Sequence, residues 1–371
     1  MKKITRRQAL SAAAATVGAG LVGSLDKSAE GLSSAAHASS TSSAKSQASK
    51  PLLRNVWGED FMLQWSPPDD LKKDLSVGSS PIRLSCNSHP IIARGWRDRV
   101  RAPWDEQIKA IRDAGYTAAE TFAWGWDDEH VKDSDIREIK QLCKEFDVEF
   151  NTLHVWANMI HPDMAEREKV HKLNISAIEM AERLGMKYIL THTGGRDAEN
   201  KDKPHPLNHT RETWKMSVDA TKKILKDTSG SKINLGFEAV NSCNNNTPQS
   251  HLRLREDVGD ARVKVTLDPC NMLHPGTIFR TTELLDQCFD MLGEEIMYCH
   301  AKDKVWNEML PHFEGVALGT GLVDYETYLA RLSRLKTPRV LLIEHLPDDQ
   351  YPPSKKHLED TAKKLGVKIY S

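Results

Sequence analysis

The sequence has no apolar run of the roughly 20 residues needed to cross a bilayer, so no stable membrane insertion is expected. It has almost no net charge: 371 residues carry a formal charge of −1. Nothing in bulk electrostatics therefore invites nucleic acid. It has no close cysteine pair that would read as a metal clip or redox motif. The six cysteines are scattered, and Cys86, Cys270 and Cys299 fall in or beside predicted strands. An even number can signal disulfides in an exported protein, but so sparse a set fits buried free thiols at least as well. It also lacks a Gly-rich turn after the first predicted strand. The stretch IRLSCNSHP at 82–90 has none of the glycines that a dinucleotide-binding sheet places there.

What is present begins with an unusual N-terminus. MKKITRRQAL holds Arg6-Arg7 in the pattern Thr-Arg-Arg-x-x-Leu, an Ala/Gly/Val/Leu run extends from Ala9 to Gly23, and Ala36-His37-Ala38 forms a small-x-small triplet. A basic start, an apolar middle and an A-x-A end make a secretory signal. The paired arginines make it resemble a twin-arginine signal. The twin-arginine translocase is then the export partner, and the destination is periplasmic or extracellular. That route carries folded proteins, which suits a chain that loads a cofactor before export. Residues 39–50, SSTSSAKSQASK, read as a disordered linker. Residues 51–80, with Trp57, Phe61, Trp65 and Pro67-Pro68, read as an irregular arm. The expected organisation is a signal peptide at 1–38, linker and arm at 39–80, and one catalytic domain at 81–371.

Within that domain, β-rich runs recur at 82–86, 117–123, 148–155, 187–191, 233–239, 263–268, 295–300 and 339–345. Amphipathic stretches separate them. In YETYLARLSRL at 325–335, Leu329, Leu332 and Leu335 share a face. Several such stretches end at Gly115, Gly185 or Gly366, as helix C-termini do. Eight strand–helix units predict a (β/α)8 TIM barrel, with a doubly wound sheet as the alternative.

A barrel of this kind builds its active site at the C-terminal ends of the strands. Strands five to eight end at Glu238, Asp268, His300 and Glu344, at spacings of 30, 32 and 44 residues. Taken singly, Glu238 could pair with an arginine, Asp268 could cap a helix and His300 could be a core histidine. Taken in register, three carboxylates and an imidazole converge over one mouth, where they repel each other unless a cation joins them. The donor set suits Mn²⁺ or Mg²⁺ before Co²⁺ or Zn²⁺, with Mn²⁺ preferred.

The pieces FEAVN, LDPCN, HAKD, IEH and GVALGTGLVDYETYLARL resemble the xylose isomerase-like TIM barrels of the sugar phosphate isomerase/epimerase family, over roughly residues 81–369. The resemblance implies Glu238, Asp268, His300 and Glu344 as metal ligands. It also implies that Glu238 and Glu344 move protons on opposite faces of a sugar. Two positions differ from the ketose epimerases. Asn271 stands where they have a histidine, and Trp306 and Asn307 stand where they have an arginine.

Other strand ends supply Asn87, His89, Glu120, Trp124, Trp126, His154, Trp156, His192, Lys302 and Asp303. His154 is a candidate extra acid/base. Asn271, Lys302, Trp124, Trp156, His192 and Trp306 are candidate substrate contacts, the indoles as platforms for sugar C–H faces. The expected activity is isomerisation or epimerisation of an unphosphorylated sugar through a metal-bound enediolate. The alternatives are a lyase or hydratase acting on 3-keto-glycosides by the same proton abstraction, a metal-dependent phosphodiesterase, and a sugar-binding protein without catalysis. The expected ligand is a small sugar or glycoside; self-association is left open.

Exported protein is expected to start at residue 39. N-terminal sequencing that reads from Met1 on exported material would refute the cleavage site.

Overall fold

The structure is a computed structural model and describes residues 53–54, 60–61, 73–87, 103–123, 132–307 and 312–371. The signal peptide with its Ala38 cleavage site, the 39–50 linker, and the positions of His89, Trp96, Trp124 and Trp126 lie outside the described residues.

Eight strands run parallel: β1 Ile82–Asn87, β2 Ala118–Phe122, β3 Glu149–Val155, β4 Tyr188–Thr191, β5 Asn234–Glu238, β6 Val263–Leu267, β7 Ile296–Ala301 and β8 Arg339–Ile343. Each pairs with the next, and β8 pairs back onto β1 from Arg339↔Ile82 to Ile343↔Cys86, closing the sheet. The helices between them are α1 Trp104–Asp113, α2 Asp133–Phe146, α3 Met164–Leu184, α4 Arg211–Asp227, α5 Pro248–Val258, α6 Thr281–Leu292, α7 Tyr325–Ser333 and α8 Tyr351–Leu365. This is the (β/α)8 barrel that the alternation predicts. The glycine signals hold as well: Gly185 and Gly366 cap α3 and α8 in the left-handed conformation.

Two faces of each strand do different work. One face, with residues such as Leu84, Leu153, Leu235, Val265 and Ile343, joins the helices in the main apolar core. The other points into the barrel. There Tyr188, Tyr298 and Leu342 form a small separate apolar cluster. Side chains alternate along a strand with period two. Two residues beyond this plug, on the same inward face, stand His300 after Tyr298 and Glu344 after Leu342. The strands thus lift polar groups onto an apolar floor. Gly236 on β5 fits the same geometry. A Cβ there would come within 2.7 Å of Thr266 Oγ1.

One element is not foreseen by the strand–helix beat. After β7 the chain forms an antiparallel hairpin, Asp303–Asn307 against His312–Val316. Asp303, listed among polar groups of the mouth by its position alone, is turned away to serve this hairpin. Its buried carboxylate accepts from the backbone N–H groups of Lys304 (2.9 Å), Gly319 (2.9 Å), Gly321 (3.0 Å) and Val323 (3.0 Å). The GTG turn is built around that carboxylate. Gly319 has φ +84°, and a Cβ on Gly321 would lie 2.1 Å from Asp303 Oδ1. Trp306 sits on the hairpin edge-on to Phe313, with ring centroids 5.3 Å apart.

Asp303→Ala leaves four backbone amides without their acceptor, one in a buried and three in part-buried hydrogen bonds. At about 1–3 kcal/mol per unsatisfied group, partly relieved by water, a loss of roughly 3 kcal/mol or more is expected in denaturant unfolding. An unchanged unfolding midpoint would remove Asp303 from this role.

Candidate metal centre

Strands β5 to β8 bring Glu238, Asp268, His300 and Glu344 together as the sequence spacing requires. Their ligand atoms lie within 4.8 Å of one another, and all four residues are buried. His300 Nδ1 is 2.6 Å from Glu344 Oε1, 3.0 Å from Glu238 Oε1 and 3.6 Å from Asp268 Oδ2. Asp268 does also cap its own turn, accepting from Asn271 N at 3.0 Å through Oδ1. Its other oxygen is free for the centre. Among the described residues, Asp268 Oδ2 and Glu344 Oε1 accept no well-aligned hydrogen bond although both are fully enclosed. Three buried carboxylates with two open oxygens and one imidazole nitrogen fit a divalent cation.

In the structure, positive charge reaches this point from the protein itself. Lys302, two residues beyond His300, places its ammonium 2.6 Å from Asp268 Oδ2, 2.7 Å from Glu344 Oε1 and 3.4 Å from Glu238 Oε1. Burial disfavours the charged lysine, but Asp268, Glu344 and Glu238 outweigh it and hold its pKa well above the ordinary value. The same balance raises His300, where burial is overcome by Glu344 and Glu238. Burial would also raise the Glu344 carboxyl, yet His300, His345 and Lys302 bring it well below its usual range. Lys302 is held from behind: Tyr325 donates its hydroxyl to the Lys302 carbonyl at 2.7 Å.

Strands β1 to β4 face this centre with a second set. Glu120 on β2 meets His154 Nδ1 on β3 at 3.1 Å, and His154 Nε2 lies 2.9 Å from His192 Nε2 beyond β4. His192 Nε2 is in turn 3.4 Å from Glu238 Oε2. Burial, then Lys201, keeps His192 well below the usual histidine pKa, so it is neutral. From β1, Asn87 donates to Glu344 Oε2 at 3.5 Å and accepts from Tyr351 at 3.1 Å.

A cavity of about 220 Å³ opens above the centre, smaller than a drug-sized site. Glu238, His154, Trp156, His192, Asn271 and Lys302 line it. Asn271 donates from Nδ2 to Glu238 Oε1 at 2.9 Å, so the position that departs from the epimerases touches a centre carboxylate directly. Trp306 is on the hairpin and is not among the described residues that line this cavity. Trp124 lies outside the described residues. Phe122, Lys201, Asp202 and His345 line the cavity without having been read from the sequence. Lys201 stacks over Trp156 at 5.0 Å and pairs with Asp202 at 2.6 Å, in a loop with no motif. His345 has φ +59°, which turns its ring to within 3.4 Å of Glu344 Oε2.

The xylose isomerase-like TIM barrel model matches residues 108–365. The chain belongs to the xylose isomerase-like TIM barrel family. Solved members with a similar fold include a xylose isomerase-like TIM barrel protein from Mycobacterium smegmatis in complex with magnesium, at 14% identity and a TM-score of 0.59 over 77% of this chain and 96% of that one. A D-allulose 3-epimerase from Methylomonas sp. in complex with D-allulose matches at 18% identity and a TM-score of 0.55, covering 77% and 99%. The IOLI protein with a binding zinc atom matches at 16% and 0.55, covering 77% and 96%.

Lys302→Met removes the charge and keeps most of the volume. Without added metal the variant is expected to lose about 3 kcal/mol or more, because buried carboxylates are left uncompensated. A divalent ion supplies the missing charge, so the metal-induced rise in melting temperature should be larger in the variant than in the wild type. Equal rises in calorimetry would show that Lys302 is not the counter-charge.

Proposed function

We propose that the protein is a metal-dependent isomerase or epimerase of an unphosphorylated keto-sugar. The observation that carries this reading is the placement of Glu238 and Glu344. They enter from β5 and β8, which are not neighbours in the sheet, and meet at one cation-binding point below a small cavity. Membership of the family supports it. So does the likeness of fold to an epimerase in complex with D-allulose and to barrels holding magnesium or zinc.

Glu238, Asp268, His300 and Glu344 would hold the cation, and an oxygen-rich set with one nitrogen favours Mn²⁺ or Mg²⁺. Once bound, the cation supplies Lewis acidity that polarises a ketone and acidifies the neighbouring C–H. The chain's own groups then handle the proton. Asn271 holds Glu238 Oε1, while Oε2 faces His192 and serves as the base. Glu344 returns a proton from the other side, steadied by Asn87. His154 exchanges a proton with a sugar oxygen. Trp156 and Lys302 hold the remainder of the sugar. Both lysines that line the cavity are already ion-paired, Lys201 with Asp202 and Lys302 with the centre. That favours a neutral sugar over a sugar phosphate. Export, expected from reading Arg6-Arg7 as a twin-arginine signal, would favour the same choice.

The test is solvent deuterium uptake at the carbon beside the carbonyl, on metal-loaded protein with a panel of keto-sugars and 3-keto-glycosides. Glu238→Gln is expected to reduce exchange by about 10²-fold or more. Unchanged turnover would remove Glu238 as the base. Release of an aglycone in place of an isomerised sugar would move the reading to elimination.

A further inference from the structure

Glu120 has no role in the reading above, yet it is among the most enclosed charges in the molecule, with no exposed surface. It stands in the middle of β2, where the pairing with β3 shifts register between Ala119 and Glu120. Such irregularities re-aim side chains at barrel rims. Its two oxygens point at different imidazoles. Oε1 is 3.1 Å from His154 Nδ1, and Oε2 is 3.9 Å from His300 Nε2.

The second approach is the informative one. Glu120 Oε2 and His300 Nε2 are both buried, and neither has a hydrogen-bond partner among the described residues. An unpaired buried carboxylate oxygen and an unpaired buried ring nitrogen are each costly. Each is the nearest remedy for the other, and a side-chain adjustment of roughly 1 Å brings them to bonding distance. The opposite nitrogen of His300 already faces Glu344, Glu238 and Asp268. A nitrogen that ligates a cation must be bare, so the His300 proton belongs on Nε2, towards Glu120. The same logic fixes His154. Its Nδ1–H is spent on Glu120, which leaves Nε2 as an acceptor facing His192 Nε2, 2.9 Å away. Packing sets only the ring planes: Tyr298 lies edge-on to His300 and Phe122 stacks on His154. The proton positions need Glu120.

We propose that Glu120 is a positioning residue shared by both histidines, one oxygen fixing the tautomer of the ligand His300 and the other that of the acid–base His154. The part concerning His154 rests on the sugar-isomerase reading; the part concerning His300 needs only a bound cation.

The test uses full-length protein loaded with Zn²⁺ or Mg²⁺, with nitrogen-labelled histidine for NMR and calorimetry for metal affinity. The wild type should show two exchange-protected imidazole N–H signals, one from His300 Nε2 and one from His154 Nδ1. Glu120→Ala should lose both, and its metal affinity should fall about 10–100-fold. Glu120→Gln keeps the volume and one acceptor, and should retain one signal with intermediate affinity. His154→Ala should remove only its own signal and leave metal affinity within about threefold of wild type. Wild-type affinity and both signals in Glu120→Gln and Glu120→Ala would overturn the proposal. So would a protected proton on Nδ1 of His300. None of these readouts depends on turnover, so a sugar screen that fails would sink the reading of the activity and leave this result standing.

Discussion

The structure is organised around one electrostatic constraint: four carboxylates, Glu120, Glu238, Asp268 and Glu344, are buried together at the mouth of a barrel. Like charges in a poorly solvated place repel strongly. Each oxygen therefore has to be matched by a proton, an ammonium or a cation. Lys302 and His300 answer part of that demand, Asn271 and Asn87 donate neutral hydrogen bonds, and His154 takes one side of Glu120. The apolar floor of Tyr188, Tyr298 and Leu342 keeps water from answering the rest from below. The barrel's closure between β8 and β1 makes such a crowded arrangement stable enough to persist.

The strands and the centre were legible because both follow from periods in the chain. Alternation of β-rich runs with amphipathic stretches places every strand within two residues of its observed limits. A carboxylate or histidine at the end of each of four successive strands converges by topology alone. Asp268 shows how the two readings of a residue can both hold. One oxygen caps the turn through Asn271 N, and the other faces the centre.

What was not legible lies off those periods. The hairpin after β7 interrupts the beat, and Trp306 lies on it, edge-on to Phe313. Lys201 reaches the cavity from an irregular loop, where no spacing predicts direction. His345 is turned inward by a left-handed backbone that side-chain alternation cannot anticipate. Glu120 was visible as a strand-end acid, but its two-sided contact depends on a register shift. Asp303 was visible too, and its true work, holding the GTG turn, appears only when the backbone amides are placed around it.

The chain order of these groups carries a consequence of its own. Glu238, Asp268, His300 and Glu344 occupy one contiguous arc of the barrel wall, from β5 to β8. Asn87, Glu120, His154 and His192 occupy the other, from β1 to β4 and just beyond. The β5–β8 arc holds three carboxylates and an imidazole, and the β1–β4 arc holds an amide, one carboxylate and two imidazoles. Contacts cross between the arcs from Glu238 to His192, from Glu344 to Asn87 and from His300 to Glu120. Such a division is modular: substitutions in the β1–β4 arc can change what surrounds the centre while the β5–β8 arc keeps the four converging side chains.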